Sequence, residues 1–312
     1  MIETLLLAAG YSTRLYPLTT SIPKPLLPFL DGRLLDSTLG YLAHFGIDRV
    51  ATNAHHGRLP FLDELSPVHG VTVRPFIEEE ILGTGGGILN MRPFVTDDHA
   101  LIVNCDFVTD VDLRAALDFH VSRNALATLV LVEHPDQRRY GEVGVDGSDR
   151  IVSFPREPHR VDAIVRRGLF SGIHFLRRDA FDRMPREKKS FCIVKDVYQP
   201  WMLAGESVLG YCTKARWLDV GEKDVFAASQ FELLANPMKW MKPLSSSRRW
   251  ISPRAAVASS ARIGDDVLIH PDARVGAATL ERCIVFPSAS VPDGASLRDC
   301  IVTTSETVSI RS

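Results

Sequence analysis

The chain has 312 residues, 45% of them hydrophobic and 24% charged, with a formal net charge of -2. That length accommodates one large domain and a small one, and the apolar content is ordinary for a packed globular chain. The balance of charge gives no global attraction for nucleic acid or an acidic membrane, and no run is long enough to span a bilayer.

Met1, Ile2 and Glu3 lead straight into a strand-like segment rather than a basic, apolar leader. Five cysteines, at positions 105, 192, 212, 283 and 300, contain no Cys-x-x-Cys pair. Such a scattered, odd set suits a reducing cytoplasm better than a disulfide frame or a zinc site.

Residues 3–9 form an apolar run that predicts a strand buried on both faces. Helical spacing follows over 35–45, with Asp36 and Ser37 as caps and Gly46 as the stop. Strands are predicted over 50–53, 71–76, 101–104, 127–132 and 170–176, with helices over 111–121 and 223–234. Asp112 is placed to cap the helix over 111–121. Strands separated by helices predict an α/β fold with a mostly parallel sheet, whose ligands bind at the carboxyl ends of the strands.

Residues 236–249 read as a linker, from their Asn-Pro, Lys-Pro, Ser-Ser-Ser and Arg-Arg steps. Beyond it, Ile251, Val257, Ile263, Ile269 and Val275 recur every six residues, and Val285, Val291 and Leu297 repeat the period. LERCIV at 280–285 also recurs as LRDCIV at 297–302. A hexapeptide period marks a β-helix, so three regions are expected: 1–235, a linker at 236–249, and a short parallel β-helix over 250–312.

The first strand runs through Leu7 into Ala8, Ala9, Gly10, Tyr11, Ser12, Thr13 and Arg14. A strand ending in small residues exposes N–H groups suited to phosphate oxygens, and Arg14 adds a bidentate fork. Lys24 stands between Pro23 and Pro25, a cation on a stiff segment. Stiffness matters because a catalytic charge must be in place before the reacting phosphate gains charge. Neither a Walker loop nor a Gly-x-Gly-x-x-Gly turn fits this stretch. Asp106 follows the strand over 101–104, and Asp219 lies far along the chain. Taken alone, each acid is more often a helix cap or a turn residue.

The run LLLAAGYSTRLYPLTTSIPKPLLP resembles the opening of the sugar-1-phosphate nucleotidyltransferases, L-A-G-G/A-x-G-T-R-L followed by P-K-P. The resemblance continues in order through GRLLDSTLGYLAHFGIDRV, LGTGGGI at 82–88, NCDFVTD at 104–110, YGEVGVD at 140–146, FSGIHFL at 170–176 and WLDVG at 217–221. It implies a Rossmann-like mixed sheet flanked by helices, and a β-helix that is left-handed.

It also implies that a nucleoside triphosphate and a sugar 1-phosphate are joined, with release of pyrophosphate. Leu7, Ala8, Ala9, Gly10, Ser12, Thr13, Arg14, Lys24 and Gly85 are implied to bind nucleotide, with Arg14, Lys24 and Asp106 catalytic. Magnesium would be held by Asp106 and Asp219. Gly141, Gly172 and Lys195 match sugar and sugar-phosphate positions. Lys195 alone would mean nothing on a solvated helix.

Two departures stand out. Ser12 replaces the usual glycine, and Arg156-Glu157 falls where the family carries Glu-Lys before proline. Arg156 and Glu157 are expected at the sugar phosphate, with Arg156 supplying the positive charge.

A transferase region followed by a short β-helix looks like mannose-1-phosphate guanylyltransferase, which favours GTP and mannose 1-phosphate. Uridylyl transfer to an N-acetylated or other hexose 1-phosphate, and a non-catalytic nucleotide-sugar-binding subunit, are the alternatives. A bifunctional acyltransferase would need a longer helix and a catalytic histidine, and His270 is the single histidine in this region. The short helix is expected to pack as the interface of a homo-oligomer, a dimer or larger.

Overall fold

The computed structural model describes residues 2–55, 67–135, 141–155 and 159–310. Two compact units emerge, and neither is continuous in sequence. The first gathers Met1–Tyr11, Leu42–Cys105 and Thr109–Trp217; the second gathers Ser12–Tyr41, Asp106–Val108 and Leu218–Ser312.

Among the described residues, the first unit is built on a nine-stranded sheet. Its strands are β1 (Glu3–Leu7), β2 (Arg49–His55), β3 (Thr72–Glu78), β4 (His99–Asn104), β5 (Ala127–Val132), β6 (Val143–Val145), β7 (Ile151–Ser153), β8 (Arg166–Arg177) and β9 (Val208–Thr213). The main path runs β7-β6-β8-β4-β1-β2-β3, with β5 and then β9 branching from β8. Strands β1, β2, β3 and β4 pair in parallel, while β8 is antiparallel to β4, β5 and β6. The expected mixed, mostly parallel sheet is therefore present.

Leu5 and Leu6 are fully buried, as are all six residues of β5, which is why these segments read as largely apolar runs. Helix Leu113–Ser122 begins where expected, with Asp112 Oδ1 accepting the N–H groups of Arg114 and Ala115. Gly46 takes a left-handed φ of 80° just past helix Leu34–His44, a conformation that costs glycine least.

The second unit contains helix Lys223–Ala235 and a stack of short parallel strands. Trp250 pairs with Leu268, Leu268 with Ile284, and Ile284 with Ile301, one chain pass above the next. A second ladder joins Val257, Val275 and Val291, and a third joins Leu280 to Leu297. The hexapeptide positions thus stack on equivalents one pass away, as the period requires. Thr307–Ser309 then pairs antiparallel with the last pass.

Alternate side chains of these strands turn two ways. Val267, Ile269, Cys283, Val285, Cys300 and Val302 fill one core. Leu268, Ile284 and Ile301 join Leu15, Leu27, Phe29, Phe226 and Phe231 in another. Met238, within the 236–249 segment, is buried in that second core, and Trp240 packs against it. His270 is buried between the rings of Trp250 and Phe286. Burial pushes its pKa down to about 4.

Candidate active site

In the first unit, β1 ends beside Asn53 of β2. Asn53 Oδ1 accepts the N–H groups of Ala8 at 2.8 Å and Ala9 at 3.1 Å. The expectation that Ala8 and Ala9 offer N–H groups to phosphate is therefore not met: an amide side chain already takes both. Asn53 Nδ2 donates to Glu78 Oε1 at 2.7 Å, and Glu78 Oε2 accepts the N–H of Leu82 at 3.1 Å. Asn53 is 3% exposed and Glu78 2%, so each needs the other's hydrogen-bonding groups. This network joins the β1 exit to the glycine-rich segment, which sequence reasoning missed. Its only local sign was a polar residue at the end of an apolar strand.

The glycine run is the first turn of helix Gly83–Asn90. A Cβ on Gly85 would lie 2.3 Å from the Phe191 ring, and one on Gly87 would lie 2.7 Å from Asn53 Nδ2. The Gly85 N–H donates to Phe191 O at 2.9 Å, and Thr84 Oγ1 accepts the N–H of Ile193 at 3.0 Å. The missing side chains at Gly85 and Gly87 therefore admit protein atoms, although the resemblance implies that Gly85 binds nucleotide. A Cβ on Gly10 would meet nothing within 4 Å, so the backbone there is open on that side.

Gly141 and Gly172 have φ of 89° and 84°, and a Cβ on Gly141 would lie 2.6 Å from Pro155. Lys195 is exposed on a π-helical turn, Val194–Tyr198, a motif frequent at functional sites. Arg156 and Glu157 lie outside the described residues.

In the second unit, Ser12 has φ 51° and ψ 37°, the left-handed region that a glycine adopts without cost. The family's usual glycine thus matches a backbone demand. Ser12 is held there by its carbonyl, which accepts from Thr19 Oγ1 at 2.8 Å and from the Leu15 N–H at 3.1 Å. Thr13 opens the 3₁₀ turn Thr13–Leu15, which carries Arg14. Arg14 is solvent-facing, and its Nη1 lies 3.2 Å from Glu222 Oε1.

Lys24 opens a second 3₁₀ turn, Lys24–Leu26. It is 9% exposed and its Nζ stands 3.6 Å from Asp106 Oδ2. That separation is Coulombic contact rather than a hydrogen bond.

Asp106 and Asp219, distant in sequence, come together through backbone. The Val220 N–H donates to Asp106 O at 3.2 Å, and Asp219 Oδ1 accepts the Gly221 N–H at 2.8 Å. A Cβ on Gly221 would lie 2.9 Å from Asp219 Oδ1 and 3.1 Å from Arg14 Nη2. Gly221 therefore allows Arg14 and Asp219 to approach one another. Arg14 meets Glu222 and, with Asp219, flanks Gly221, while the Val220–Asp106 backbone bond sets the Lys24–Asp106 pair beside this stretch of chain; Glu222 was not anticipated, although it follows WLDVG directly.

Among the described residues, no three His, Cys, Asp or Glu side chains converge as a metal cage. Two hard oxygen donors without imidazole or thiolate fit a divalent ion that completes its shell with water and substrate phosphate. Among the described residues, no helix is long and apolar enough to cross a membrane.

The profile of the family described as Nucleotidyl transferase matches residues 3–235. Mannose-1-phosphate guanylyltransferase of Mycobacterium tuberculosis is 29% identical over 304 residues, covering 94% of this chain and 82% of its own. A putative mannose-1-phosphate guanyltransferase of Sulfolobus acidocaldarius is 27% identical over 274 residues, covering 86% and 73%. The crystal structure of HddC from Yersinia pseudotuberculosis superposes with a TM-score of 0.64 at 23% identity, covering 75% of this chain and all of that one. At that identity the likeness is one of fold.

Proposed function

The chain belongs to the nucleotidyl transferase family, and on that premise we propose that it transfers guanylyl from GTP to mannose 1-phosphate, releasing pyrophosphate. The observation that carries this reading is the charged group of the second unit. Buried Lys24 lies beside Asp106, and Asp219 is brought to the same backbone. The names of the relatives from Mycobacterium tuberculosis and Sulfolobus acidocaldarius favour guanylyl and mannose.

The chemistry is an in-line displacement. A phosphate oxygen of the sugar 1-phosphate forms a bond to the α-phosphorus, while the bond to the bridging α–β oxygen breaks and pyrophosphate leaves. The attacking oxygen is ionised at neutral pH, so no protein base or covalent nucleophile is needed. Lys24 is assigned to the α-phosphate. Its burial, the flanking prolines and the short turn fix the ammonium before charge develops.

Arg14 is assigned to the leaving β- and γ-phosphates, exchanging the carboxylate of Glu222 for phosphate oxygens of the same geometry. Asp106 and Asp219 are assigned to magnesium, which when bound supplies Lewis-acid charge and a template for both substrates. Leu7, Gly10, Ser12 and Thr13 are assigned to the nucleotide through backbone approach, whereas Ala8, Ala9 and Gly85, whose N–H groups bond within the protein, are not. Gly141, Gly172 and Lys195 are assigned to the sugar phosphate. The enzyme is proposed to act in the cytoplasm as a homo-oligomer.

A panel of GTP, UTP, ATP and CTP with mannose 1-phosphate, scored for magnesium-dependent pyrophosphate release, tests this. Release with GTP is expected. Turnover with UTP alone would overturn the guanylyl assignment, and nucleotide-sugar binding without any release would indicate a regulatory subunit.

A further inference from the structure

Two backbone irregularities of the first unit meet at one buried hydrogen bond. Strand β8 loses register with β5 between Phe170 and His174, so residues 171–173 bulge from the ladder, with Gly172 at left-handed φ. Bulges beside a site re-aim side chains. Ser171 stitches this one: its Oγ donates to Val130 O at 2.9 Å, and its carbonyl accepts from Trp217 Nε1 at 2.9 Å.

The second irregularity is the π turn Val194–Tyr198, which carries Lys195. One side of that turn is fixed by Asp196, whose carboxylate meets Lys188 Nζ at 2.6 Å and the Cys192 N–H at 2.8 Å. On its other side, the Tyr198 hydroxyl is hydrogen-bonded to His174 Nδ1, the first residue of β8 back in register. Both side chains are buried, at 0% and 1% exposure, and their rings meet edge to face. Burial holds the imidazole neutral, with its pKa pushed down to about 3, and pushes the phenol up. The tie is thus a neutral hydrogen bond over the whole working pH range.

We infer that the His174–Tyr198 bond sets Lys195 against the Gly172 bulge, making His174 and Tyr198 positioning residues for the sugar 1-phosphate. The inference rests on the assignment of Lys195 to the sugar phosphate. A hydroxyl removed from a packed ring costs the tie without emptying the site, so Tyr198→Phe is the direct perturbation. His174→Leu removes the other partner, and His174→Asn retains a polar group near Nδ1.

The experiment measures KM for mannose 1-phosphate and for GTP in the full-length wild type and each variant, at a temperature well below every melting transition. Tyr198→Phe and His174→Leu are each expected to raise the sugar-phosphate KM about five- to tenfold, the size of one lost hydrogen bond. The GTP KM should stay within about twofold, and His174→Asn should restore most of the loss. If one variant fails to fold, the other carries the test.

Lys195→Met is measured alongside. If it raises the sugar-phosphate KM while Tyr198→Phe and His174→Leu lower only the melting temperature, the bond is merely structural and the inference fails alone. If Lys195→Met leaves that KM unchanged, the assignment of Lys195 fails and the inference falls with it.

Discussion

Replacing Asn53 by alanine removes three hydrogen bonds from one buried point. Two are the N–H groups of Ala8 and Ala9 on Oδ1, and the third runs from Nδ2 to Glu78 Oε1 at 2.7 Å. A neutral bond contributes about 1 kcal/mol net, and a bond to a buried carboxylate about 1.5–3 kcal/mol. Asn53→Ala also leaves Glu78 with only the Leu82 N–H among these partners. The summed loss is about 3–5 kcal/mol, a large part of the 5–15 kcal/mol typical of a native domain.

Urea denaturation at fixed pH measures it, with the slope checked for constancy so that the midpoint reports stability. Asn53→Asp keeps an acceptor for Ala8 and Ala9 but sets a second carboxylate against Glu78, so it is also destabilising. Adding Glu78→Gln then restores a donor across the pair and should recover part of the loss. A loss below about 1 kcal/mol for Asn53→Ala would refute the network's role. Failure of Glu78→Gln to rescue Asn53→Asp would refute the direct pairing.

Lys24→Met is expected to lower kcat about 10²–10³-fold with the melting temperature little changed, because it removes preorganised charge while keeping most of the stem. Pyrophosphate-release kinetics and a thermal melt on the same sample check both parts. Gly85→Ala drives a methyl into the Phe191 ring and is expected to cost about 1–3 kcal/mol in urea unfolding; Phe191→Leu in the same chain should relieve part of it.

Stability should also fall on acidification. His120 and His174 are pushed down to about 3 by burial, and His270 to about 4, so the native state binds fewer protons than the unfolded chain below about pH 6.5. The full contribution is present above that pH. It declines as pH falls from about 6.5 towards 4, by about 1.4 kcal/mol per pH unit for each histidine. Urea midpoints between pH 7.5 and 5 measure this slope, and His120→Gln should flatten it.

The sheet was legible because its central strands are buried on both faces, which writes largely apolar runs into 3–9, 101–104 and 127–132. The stacked passes after residue 250 were legible for a related reason, since each apolar residue must meet its equivalent one pass later. Lys24 stood out through its two flanking prolines. Ser12 stood out because the resembled family uses glycine there, and the left-handed φ supplies the physical reason.

Long-range polar partners were not legible. Asn53 and Glu78 look like ordinary strand-end residues, and only the fold makes them face one another. Glycine's low helix propensity argues against a helix at 83–87, but the Phe191 contact and its hydrogen bonds override propensity there. A π turn depends on one added residue in a helical frame, so nothing in the local composition at 194–198 announced it. The two units interleave in sequence, so a change of texture at residue 236 could not reveal which earlier segments pack with the stacked strands.

Two acids sharing one ion are central to the proposed chemistry. Pyrophosphate release from GTP and mannose 1-phosphate is to be titrated with magnesium in the wild type, Asp106→Asn, Asp219→Asn and the double variant. Each single change should abolish most of the rate and shift the magnesium dependence upward, and the double should be no worse than the weaker single. A wild-type rate and magnesium midpoint in either single variant would contradict the shared site.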